Sequence, residues 1–490
     1  MANSSVNVLL LPEPGSGHLM SLIEAGKRLL GSQGADSSSS SPLTVTVLVP
    51  HAATAESASE VDAHVRRVEA SSGVTSMRFH RLPAVAPPTE CAGNPQEFKS
   101  RYMELQKPHV ASAARELGAA AIVVDFFATT VLDVTRELGV PAYVYFTSTA
   151  GLLALSLRLP ALDAEVGVDF EALEGTVVDV PGLPPVPAGP ALPGFMARKG
   201  SPNYAWFVYH GKRFMDFDGI IINTVAELEP GLLSAIAEGK CVPGRAAPPV
   251  YPIGPVVDLG GAKEAPPSSS HECVAWLDAQ PAASVVFLCF GSLGWFDAAK
   301  AREVAVGLER SGHRFLWVLR GPPAPGSLSP HPTDGDLDAL LPEGFLDRTR
   351  DRGLVWPKWA PQKAVLAHPA VGGFVTHCGW NSTLESLWHG VPLAPWPLYA
   401  EQHLNAFELV SCMGVAVAME VDRKRDSFVE AAELERAVRS LMGGESEEGR
   451  KARDKAKEMR DACRKAVEES GSSHAALQRL RDAIRRGAAA

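Results

Sequence analysis

Short apolar runs alternate with amphipathic stretches through the first half of the chain. Buried strands are predicted at 6–11, 43–49, 121–124, 142–146 and 219–223, where aliphatic and aromatic residues cluster. Helices are predicted at 19–30 and 129–138, where apolar residues recur at helical spacing. Strands that alternate with helices in this way predict a parallel sheet covered by helices on both faces.

The alternation stops at a segment rich in proline, glycine and serine, YPIGPVVDLGGAKEAPPSSS, which predicts a linker at 251–270. It then resumes. Further strands are predicted at 284–290, 315–319, around Val355, and at 373–376, 393–396 and 415–419. A helix is predicted at 297–312, a proline-rich polar loop at 321–336, and helical structure over 429–486 with breaks at Gly443–Gly444 and Gly471.

These elements predict an α/β protein with two Rossmann-like, doubly wound domains facing a cleft. A chain of 490 residues is too long for one ordinary core and fits two domains. We place the N-terminal domain at 1–250, the linker at 251–270 and the C-terminal domain at 271–465. A last helix is predicted at 466–490, and packing of this helix against the N-terminal domain is one possibility. Ligands of such sheets bind at the carboxyl ends of the strands.

Composition and charge narrow the function. A formal net charge of −10 predicts no nucleic-acid partner, and the basic residues of 450–464 alternate with acidic ones, as on a solvated helix face. Seven cysteines, with no C-x-x-C pair, predict neither a disulfide framework nor a zinc ribbon. The N-terminus lacks the pattern of a signal peptide, and no apolar run approaches the ~18 residues of a spanning helix. We therefore expect a cytoplasmic monomer without stable membrane insertion.

A histidine follows the first predicted strand. The run PEPGSGH leads from that strand to Gly17 and His18, where the glycines permit a tight turn before a helix whose first amides can face a phosphate. Histidine exchanges protons near neutral pH, so His18 is a candidate general base, although a polar residue at a helix start is the plainer interpretation. Asp125 ends another predicted strand at the same sheet edge and is the candidate partner that orients His18.

Two enzyme classes that share this rhythm of strands and helices fit less well. The third glycine of a dinucleotide fingerprint is replaced by Met20, and no acidic residue follows at the usual distance, which disfavours an NAD(P)-dependent reductase. The chain also has no G-x-S-x-G elbow, which disfavours a serine hydrolase.

The segment 359–402, WAPQKAVLAHPAVGGFVTHCGWNSTLESLWHGVPLAPWPLYAEQ, decides between the remaining possibilities. It resembles, over its whole length, the donor-binding signature of plant family-one UDP-dependent glycosyltransferases, including W-x-P-Q, H-C-G-W-N-S-x-x-E and the closing glutamine. A strand that turns into a helix N-terminus with His, Asn and Ser donors also suits a diphosphate on physical grounds. The resemblance implies the GT-B-type arrangement of two Rossmann-like domains, one that binds the acceptor and one that binds the UDP-sugar. It also implies that His18 is the catalytic base and that Asp125 is its partner.

The resemblance also implies roles for the donor-site residues. Trp359 stacks on the uracil while the Ala360 backbone pairs with its edge, Gln362 and Glu385 bind the ribose, His377, Asn381 and Ser382 bind the phosphates, and Trp380, Glu401 and Gln402 bind the hexose. Ser292, in the loop after a strand, resembles a second phosphate contact, and Thr147 resembles a residue of the N-terminal domain that reaches the donor. Members with glutamine at the last position use glucose, so UDP-glucose is the expected donor, as substrate rather than cofactor.

The expected reaction is an inverting displacement in which His18 takes a proton from an acceptor hydroxyl. No cofactor or metal is expected: Asp334 and Asp336 have the spacing of a metal-binding D-x-D pair but lie in the predicted loop. A small hydrophobic acceptor such as a flavonoid or another phenolic suits the apolar residues expected near the base, although aromatic residues at such spacings are more often core. These residues are Phe126, Phe127, Phe195, Met196, Trp206 and Phe207. C-glycosylation of a similar acceptor, and a nucleotide-sugar-binding protein without activity, remain as alternatives.

Overall fold

The structure is a computed structural model that describes residues 5–31, 42–70, 76–91, 93–173, 175–258, 271–326, 331–444 and 446–489. The chain divides into two compact units, each with its own parallel sheet. The first unit comprises Met1–Gly189, Phe195–Val257 and Lys465–Ala490, and the second comprises Pro190–Gly194 and Asp258–Arg464. Two parallel sheets with helices between their strands confirm the α/β, doubly wound fold class.

The first unit is built on a seven-stranded sheet in the order β3-β2-β1-β4-β5-β8-β9. Its strands are β1 (Val6–Leu11), β2 (Leu43–Val49), β3 (Met77–Arg81), β4 (Ala119–Asp125), β5 (Ala142–Phe146), β8 (Gly219–Ile222) and β9 (Val250–Pro252), with the two-residue strands β6 (Val177–Val178) and β7 (Val186–Pro187) paired outside it. All seven main strands are parallel. The carboxyl ends of β1, β4 and β5 therefore lie side by side at one edge of the sheet.

The helices before residue 258 connect these strands. They are α1 (Ser16–Leu30), α2 (Ala55–Ala70), α3 (Pro95–Leu105), α4 (Lys107–Glu116), α5 (Leu132–Leu138), α6 (Ala150–Glu165), α7 (Ala188–Ala191), α8 (Pro202–Phe214) and α9 (Pro230–Ala237). A 3₁₀ helix, Phe126–Val131, begins directly after β4 with Asp125 as its N-cap. The predicted helix at 129–138 is therefore two pieces, because the turn that Asp125 caps is tighter than an α-helix.

The second unit is built on a five-stranded parallel sheet in the order β14-β11-β10-β15-β16. The strands are β10 (Val285–Cys289), β11 (Arg314–Val318), β14 (Gly353–Trp356), β15 (Val371–Thr376) and β16 (Leu393–Pro395). The short strands β12 (Arg320–Pro323) and β13 (Pro332–Asp334) form a separate antiparallel pair, so part of the predicted loop at 321–336 is a small hairpin. A core cluster around Trp317, Trp396 and Phe315 fills the space between this sheet and its helices.

The helices after residue 258 are mostly short until the end of the chain. They are α10 (Glu272–Asp278), α11 (Ala298–Ser311), α12 (Leu337–Leu340), α13 (Phe345–Thr349), α14 (Gln362–Leu366), α15 (Trp380–His389), α16 (Gln402–Ser411), α17 (Ala431–Met442), α18 (Glu447–Val467) and α19 (Ser472–Ala489). The last helix, α19, belongs to the first unit, where Leu477, Leu480 and Ile484 pack into the core beside β4 and β9.

Three further elements differ from the sequence prediction. The strand β3 was not predicted, because its basic residues and edge position hide the apolar signal. Tyr251 and Pro252, placed in the linker, form part of the edge strand β9, and the rest of the linker from 259 to 270 lies outside the described residues. The strand predicted at 415–419 is wrong, since only an isolated bridge joins Ala416 to Leu393.

The physical reason for that last error lies in β16. Two backbone hydrogen bonds join Leu393 to the predicted strand. The N–H of Leu393 donates to the carbonyl of Val415, and the carbonyl of Leu393 accepts from the N–H of Val417. Pro395 stands at the next position where β16 should donate, and proline has no N–H. The ladder therefore stops after one step.

Among the helices that the structure describes, none is both long enough and apolar enough to cross a membrane.

Candidate active site

The loop after β1 fixes the start of the helix that carries His18. Gly15 is the N-cap of α1, and its carbonyl accepts hydrogen bonds of 3.0 Å from the backbone N–H groups of both His18 and Leu19. His18 therefore lies in the first turn of α1, at the edge of the sheet where β4 and β5 also end. Gly17 is exposed beside it.

The side chains of His18 and Asp125 are in direct contact. Nδ1 of His18 lies 2.7 Å from Oδ2 of Asp125, across 107 residues of sequence. Asp125 is fully buried, whereas the His18 side chain is 19% exposed. The other carboxylate oxygen, Oδ1, accepts from the backbone N–H of Phe127 at 2.9 Å, which fixes the carboxylate in place. Because the Asp125 carboxylate accepts a hydrogen bond from the Nδ1–H group, the neutral imidazole carries its lone pair on Nε2. No residue in the described ranges hydrogen-bonds Nε2.

A third polar group lies near this pair. Oγ1 of Thr147, which follows β5 directly, is 3.5 Å from Nδ1 of His18. That distance is longer than the contact with Asp125, so the carboxylate is the main partner of Nδ1. The prediction gave Thr147 a role toward the donor, and within the first unit the structure places it beside the candidate base.

Two nearly buried aromatic rings pack against the imidazole of His18. The rings of Phe126 and Phe127 lie 5.3 Å and 5.6 Å from the imidazole, and 4.3 Å from each other. Phe207 contacts Phe127 edge-on at 6.1 Å and stacks on Phe195 at 3.8 Å. Four of the six predicted acceptor residues therefore form one aromatic series that begins at the candidate base.

The other two predicted acceptor residues are placed differently. Met196 is buried, as the four phenylalanines are, but it is not part of the aromatic series. Trp206 is half-buried, and its ring contacts the ring of His210 at 5.5 Å rather than the ring of His18. His210 is fully buried and hydrogen-bonds Ser100 on α3 and Thr129 on the 3₁₀ helix, at 2.8 Å and 2.7 Å. Burial lowers the pKa of His210 to about 3, so it is a neutral link between these elements at physiological pH.

Two charged residues that the sequence did not predict for the site lie near the base. Oε2 of the nearly buried Glu13 accepts from the backbone N–H of Gly15 at 3.0 Å and from Nζ of Lys99 at 3.1 Å. Burial raises the pKa of Glu13, but the Lys99 ammonium and the nearby His18 outweigh it and hold that pKa below its ordinary 4.5. Glu13 could have been predicted from its position in the loop just before the glycines. No feature of the sequence near Lys99 indicates a role for Lys99 in the site.

In the second unit, the loops after β10 and β15 meet at His377. This side chain is 6% exposed, and burial lowers its pKa to about 4, so the imidazole is neutral at pH 7. Gly291 and Gly379 flank it closely: a Cβ atom added to either glycine would lie 2.5 Å from Nε2. Glycine at these two positions therefore leaves the space that the ring occupies.

The start of α15 presents the residues expected to bind phosphate. Gly379 is the N-cap of this helix and makes no side-chain capping bond, and Trp380, Asn381 and Ser382 form its first turn. A helix N-terminus carries partial positive charge and N–H groups that point outward, which suits an anion. Trp380 is nearly buried, whereas Ser292, expected to be a second phosphate contact, is exposed in the loop after β10.

One glutamine connects two of the predicted donor contacts. Nε2 of Gln362 donates to Oγ of Ser382 at 2.9 Å and to Oε2 of Glu385 at 2.8 Å. Burial raises the pKa of Glu385, and the hydrogen bond from Gln362 and the charge of Lys363 lower it by less. Gln362 therefore orients a carboxylate and a hydroxyl that belong to successive turns of one helix.

The remaining donor-site residues lie at the carboxyl ends of β14 and β16. The Trp359 side chain is 63% exposed, although its backbone carbonyl accepts from Nε1 of Trp356, and Ala360 beside it is buried. Such an exposed indole offers a flat apolar face. Glu401 is the N-cap of α16, and Gln402 is its first residue. Oε1 of Gln402 accepts from the backbone N–H groups of Leu398 and Tyr399, at 2.9 Å and 3.0 Å.

Within the described ranges, no group of three or more His, Cys, Asp or Glu side chains is arranged to hold a metal ion. Asp334, one of the two aspartates with D-x-D spacing, lies in β13 and ion-pairs with Arg320 at 3.7 Å.

The chain is similar to known proteins in sequence and in fold. The family model described as UDP-glucoronosyl and UDP-glucosyl transferase matches residues 248–449. The chain is 58% identical, over 98% of each sequence, to malvidin galactosylase UGT88C3 of Oryza sativa subsp. japonica. It is 39% identical to phloretin 2′-O-glucosyltransferase of Malus domestica, over 95% of this chain and 97% of that one. The chain belongs to the plant UDP-glycosyltransferases.

A solved structure of another family member agrees in fold. The Phytolacca americana UGT2 complexed with UDP-2fluoro-glucose and pterostilbene has a TM-score of 0.80 and 34% identity, over 98% of this chain and 99% of that one. The resemblance drawn from the segment 359–402 and the GT-B-type fold are therefore confirmed. As a UDP-glycosyltransferase, the chain uses a UDP-sugar as its donor substrate.

Proposed function

We propose that this UDP-glycosyltransferase transfers glucose from UDP-glucose to a hydroxyl of a flavonoid or another small phenolic, with inversion at the anomeric carbon. The observation that carries the proposal is the 2.7 Å contact between Nδ1 of His18 and the buried carboxylate of Asp125. It leaves Nε2 as the basic atom of a partly exposed imidazole beside two phenylalanine rings.

The chemistry at His18 suits a phenol. A phenolic hydroxyl has a pKa of about 10, so its proton transfer to an imidazole is only moderately uphill. As the acceptor oxygen attacks the anomeric carbon, Nε2 takes the proton and the imidazolium that forms is stabilised by the Asp125 carboxylate. In this proposal, a flat apolar acceptor binds beside the nearly buried aromatic series Phe126, Phe127, Phe207 and Phe195. Relatives named for malvidin and phloretin act on phenolic compounds, which supports this acceptor class.

The donor site is assigned to the second unit. In this proposal Trp359 stacks on uracil beside the Ala360 backbone, Gln362 and Glu385 bind the ribose, and Ser292, His377, Asn381 and Ser382 bind the phosphates. The charge that builds on the departing UDP is stabilised by the N-terminus of α15 and the neutral His377. We further propose that the N-terminal domain binds the acceptor and the C-terminal domain the donor, and that the enzyme acts as a monomer.

Glucose is proposed as the donor sugar because residue 402 is a glutamine. In this proposal Trp380, Glu401 and Gln402 bind the hexose. A specific observation favours a second donor, UDP-galactose, since the relative that shares 58% of its residues over nearly the whole chain is named a galactosylase. Glucose and galactose differ in the configuration of one hydroxyl. Discrimination between them therefore depends on hydrogen bonds that only one epimer can complete.

A competition experiment tests the proposal. The purified enzyme is given UDP-glucose and UDP-galactose labelled with different carbon isotopes, together with a panel of flavonoids, phenolic acids and terpenoid alcohols. We expect phenolic products that carry mainly the glucose label and that release the sugar on acid hydrolysis, as O-glycosides do. Mainly galactose label would overturn the donor assignment, acid-stable products would indicate C-glycosylation, and binding of UDP-glucose without transfer would support the non-catalytic alternative.

A further inference from the structure

The pair Glu13–Lys99 lies beside the candidate base but has no part in the proton transfer described above. Lys99 is on α3, and Nζ of its side chain lies 5.1 Å from the centroid of the Phe127 ring. The same ring lies 5.6 Å from the His18 imidazole. The partly exposed side chains of His18 and Lys99 therefore both border the nearly buried Phe127, and an aromatic acceptor bound at His18 can extend to the ammonium.

The position of Lys99 is fixed from three sides. Glu13, which is 6% exposed, accepts one hydrogen bond from Nζ at 3.1 Å. The helix α3 packs against the 3₁₀ helix that carries Phe127. The next residue on α3, Ser100, hydrogen-bonds the buried His210, whose other ring nitrogen contacts Thr129 on the 3₁₀ helix. Lys99 is thus held at a set place relative to Phe127, although lysine side chains on a surface are usually mobile.

Hydrogen-bonding capacity remains on this ammonium. A lysine ammonium has three donors, and Glu13 accepts from one of them. No other group in the described part of the chain hydrogen-bonds Nζ of Lys99. Its side chain is 30% exposed, so a ligand can reach the other two donors. Near apolar rings such a donor is stronger than it is in open water, because the local dielectric constant is lower.

The charges around Lys99 indicate what kind of group it selects. Glu13 already neutralises the ammonium, and the buried Asp125 adds a further negative charge near the base. A formally anionic acceptor is therefore repelled by two carboxylates while it is attracted by one cation. A neutral oxygen with a strong acceptor lone pair, such as a carbonyl, gains the charge-assisted hydrogen bond without that repulsion.

We propose that Lys99, held by Glu13 over Phe127, is a specificity-determining residue that donates a hydrogen bond to a carbonyl oxygen of the aromatic acceptor. This inference rests on the proposed function and deepens it by naming a second polar group of the substrate, distant from the hydroxyl that reacts. It concerns selection between acceptors, whereas His18 and Asp125 carry out the proton transfer.

The test compares two acceptors that differ only in that carbonyl. In 4′-hydroxyflavanone the ring carbonyl is separated from the reacting phenol by two saturated carbons, so replacing it by a methylene, in 4′-hydroxyflavan, leaves the acidity of the phenol unchanged. We measure kcat/KM for both with the wild type, Lys99→Met and Lys99→Arg. A hydrogen bond from a charged donor changes kcat/KM by roughly 10- to 100-fold. We expect the wild type to prefer the flavanone by about that factor, Lys99→Met to lose the preference, and Lys99→Arg to keep part of it.

Controls separate this role from a structural one. The double variant Glu13→Gln/Lys99→Met removes both charges, so no buried carboxylate is left without a partner, and it should lose the preference as Lys99→Met does. Lys107→Met removes a lysine of similar type on α4 that pairs with Asp133 at 2.9 Å, and it should keep the preference. Each variant is checked for folding by thermal unfolding.

The outcomes distinguish this inference from the proposed function. If the wild type reacts equally with both acceptors, or if Lys99→Met keeps the wild-type ratio, the role of Lys99 is wrong while the glycosyltransferase reaction stands. If neither flavonoid reacts but phenols without a carbonyl do, the role of Lys99 is also wrong. If no acceptor of the panel reacts with any UDP-sugar, the proposed function itself fails.

Discussion

Nε2 of Gln362 donates a hydrogen bond of 2.8 Å to Oε2 of Glu385, one turn inside the helix α15. This contact orients a carboxylate whose pKa is raised by burial. The same amide nitrogen also donates to Ser382, so a single side chain positions one proposed ribose contact and one proposed phosphate contact.

The first prediction concerns the pH dependence of donor binding. Only the ionised Glu385 accepts two hydrogen bonds from a ribose diol without repulsion, and its pKa lies above the ordinary 4.5. UDP-glucose affinity should therefore be full at high pH and fall as the pH drops through that raised pKa. Glu385→Gln should bind roughly tenfold more weakly at about pH 8 and show a flatter profile. Calorimetric titration with UDP-glucose, whose diphosphate does not titrate in this range, measures both. Parallel profiles for the two proteins would exclude Glu385 as the cause.

The second prediction concerns Gln402 and the sugar. Its Oε1 is occupied by the backbone N–H groups of Leu398 and Tyr399, so the amide can only donate to a sugar hydroxyl through Nε2. Gln402→Glu keeps an oxygen for both N–H groups but removes the donor. We expect KM for UDP-glucose to rise about tenfold or more. Gln478→Glu, the same change on α19, serves as the control. An unchanged KM in Gln402→Glu would show that this side chain does not contact the hexose.

The third prediction concerns the space around His377. Gly291 has φ of +75°, and its added Cβ would lie 2.5 Å from Nε2 of His377. Gly312 has nearly the same conformation, φ of +74°, with nothing within 4 Å of its added Cβ. Each glycine-to-alanine change should cost about 1–2 kcal/mol of stability through backbone strain. Only Gly291→Ala should also weaken UDP binding, by about tenfold or more, because it displaces the imidazole. Equal UDP affinity in the two variants would remove His377 from the phosphate site.

The fourth prediction concerns the anchor of the C-terminal helix. The buried guanidinium of Arg481 on α19 donates to the carbonyl groups of Leu29, Arg28 and Gly31, at the carboxyl end of α1. Arg481→Met leaves these carbonyl groups without partners, and we expect the free energy of unfolding to fall by about 2–4 kcal/mol. Arg479→Met, at an exposed position of the same helix, should change it by less than about 0.5 kcal/mol. Urea unfolding of the three proteins measures the difference. Equal losses would mean that α1 does not depend on this anchor.

The fold could be predicted from the sequence where apolar runs were long and bounded. The strands β1, β2 and β5 were predicted with the bounds that the structure has, because their buried runs are uninterrupted. β3 and β9 were missed, since both lie at the edges of the sheet, where burial is incomplete and apolar patterning weakens. The failed strand at 415–419 shows a different limit. Its own residues favour a strand, but Pro395 in the neighbouring strand ends the ladder.

The candidate site could be predicted where it follows strand ends or a contiguous signature. His18 and Asp125 were paired because one follows a parallel strand and the other ends one at the same edge of the sheet, and the structure places them in contact. Glu13 and Lys99 could not be paired in this way, because their 3.1 Å contact joins a loop to a helix across 86 residues. Nor could the sequence show that Gln402 uses its carbonyl oxygen to hold a loop, since that depends on the course of the backbone from Leu398 to Gln402.

The most direct test of the account is the transfer rate of His18→Ala, measured beside Asp125→Asn and beside UDP-glucose affinity. Removal of a general base costs ~10²–10⁴-fold in rate. We predict such a loss of kcat in His18→Ala, a smaller loss in Asp125→Asn, and unchanged UDP-glucose affinity in both, because neither residue lies in the proposed donor site. Transfer at the wild-type rate in His18→Ala, with the protein folded and the donor bound, would contradict the assignment of His18 as the base.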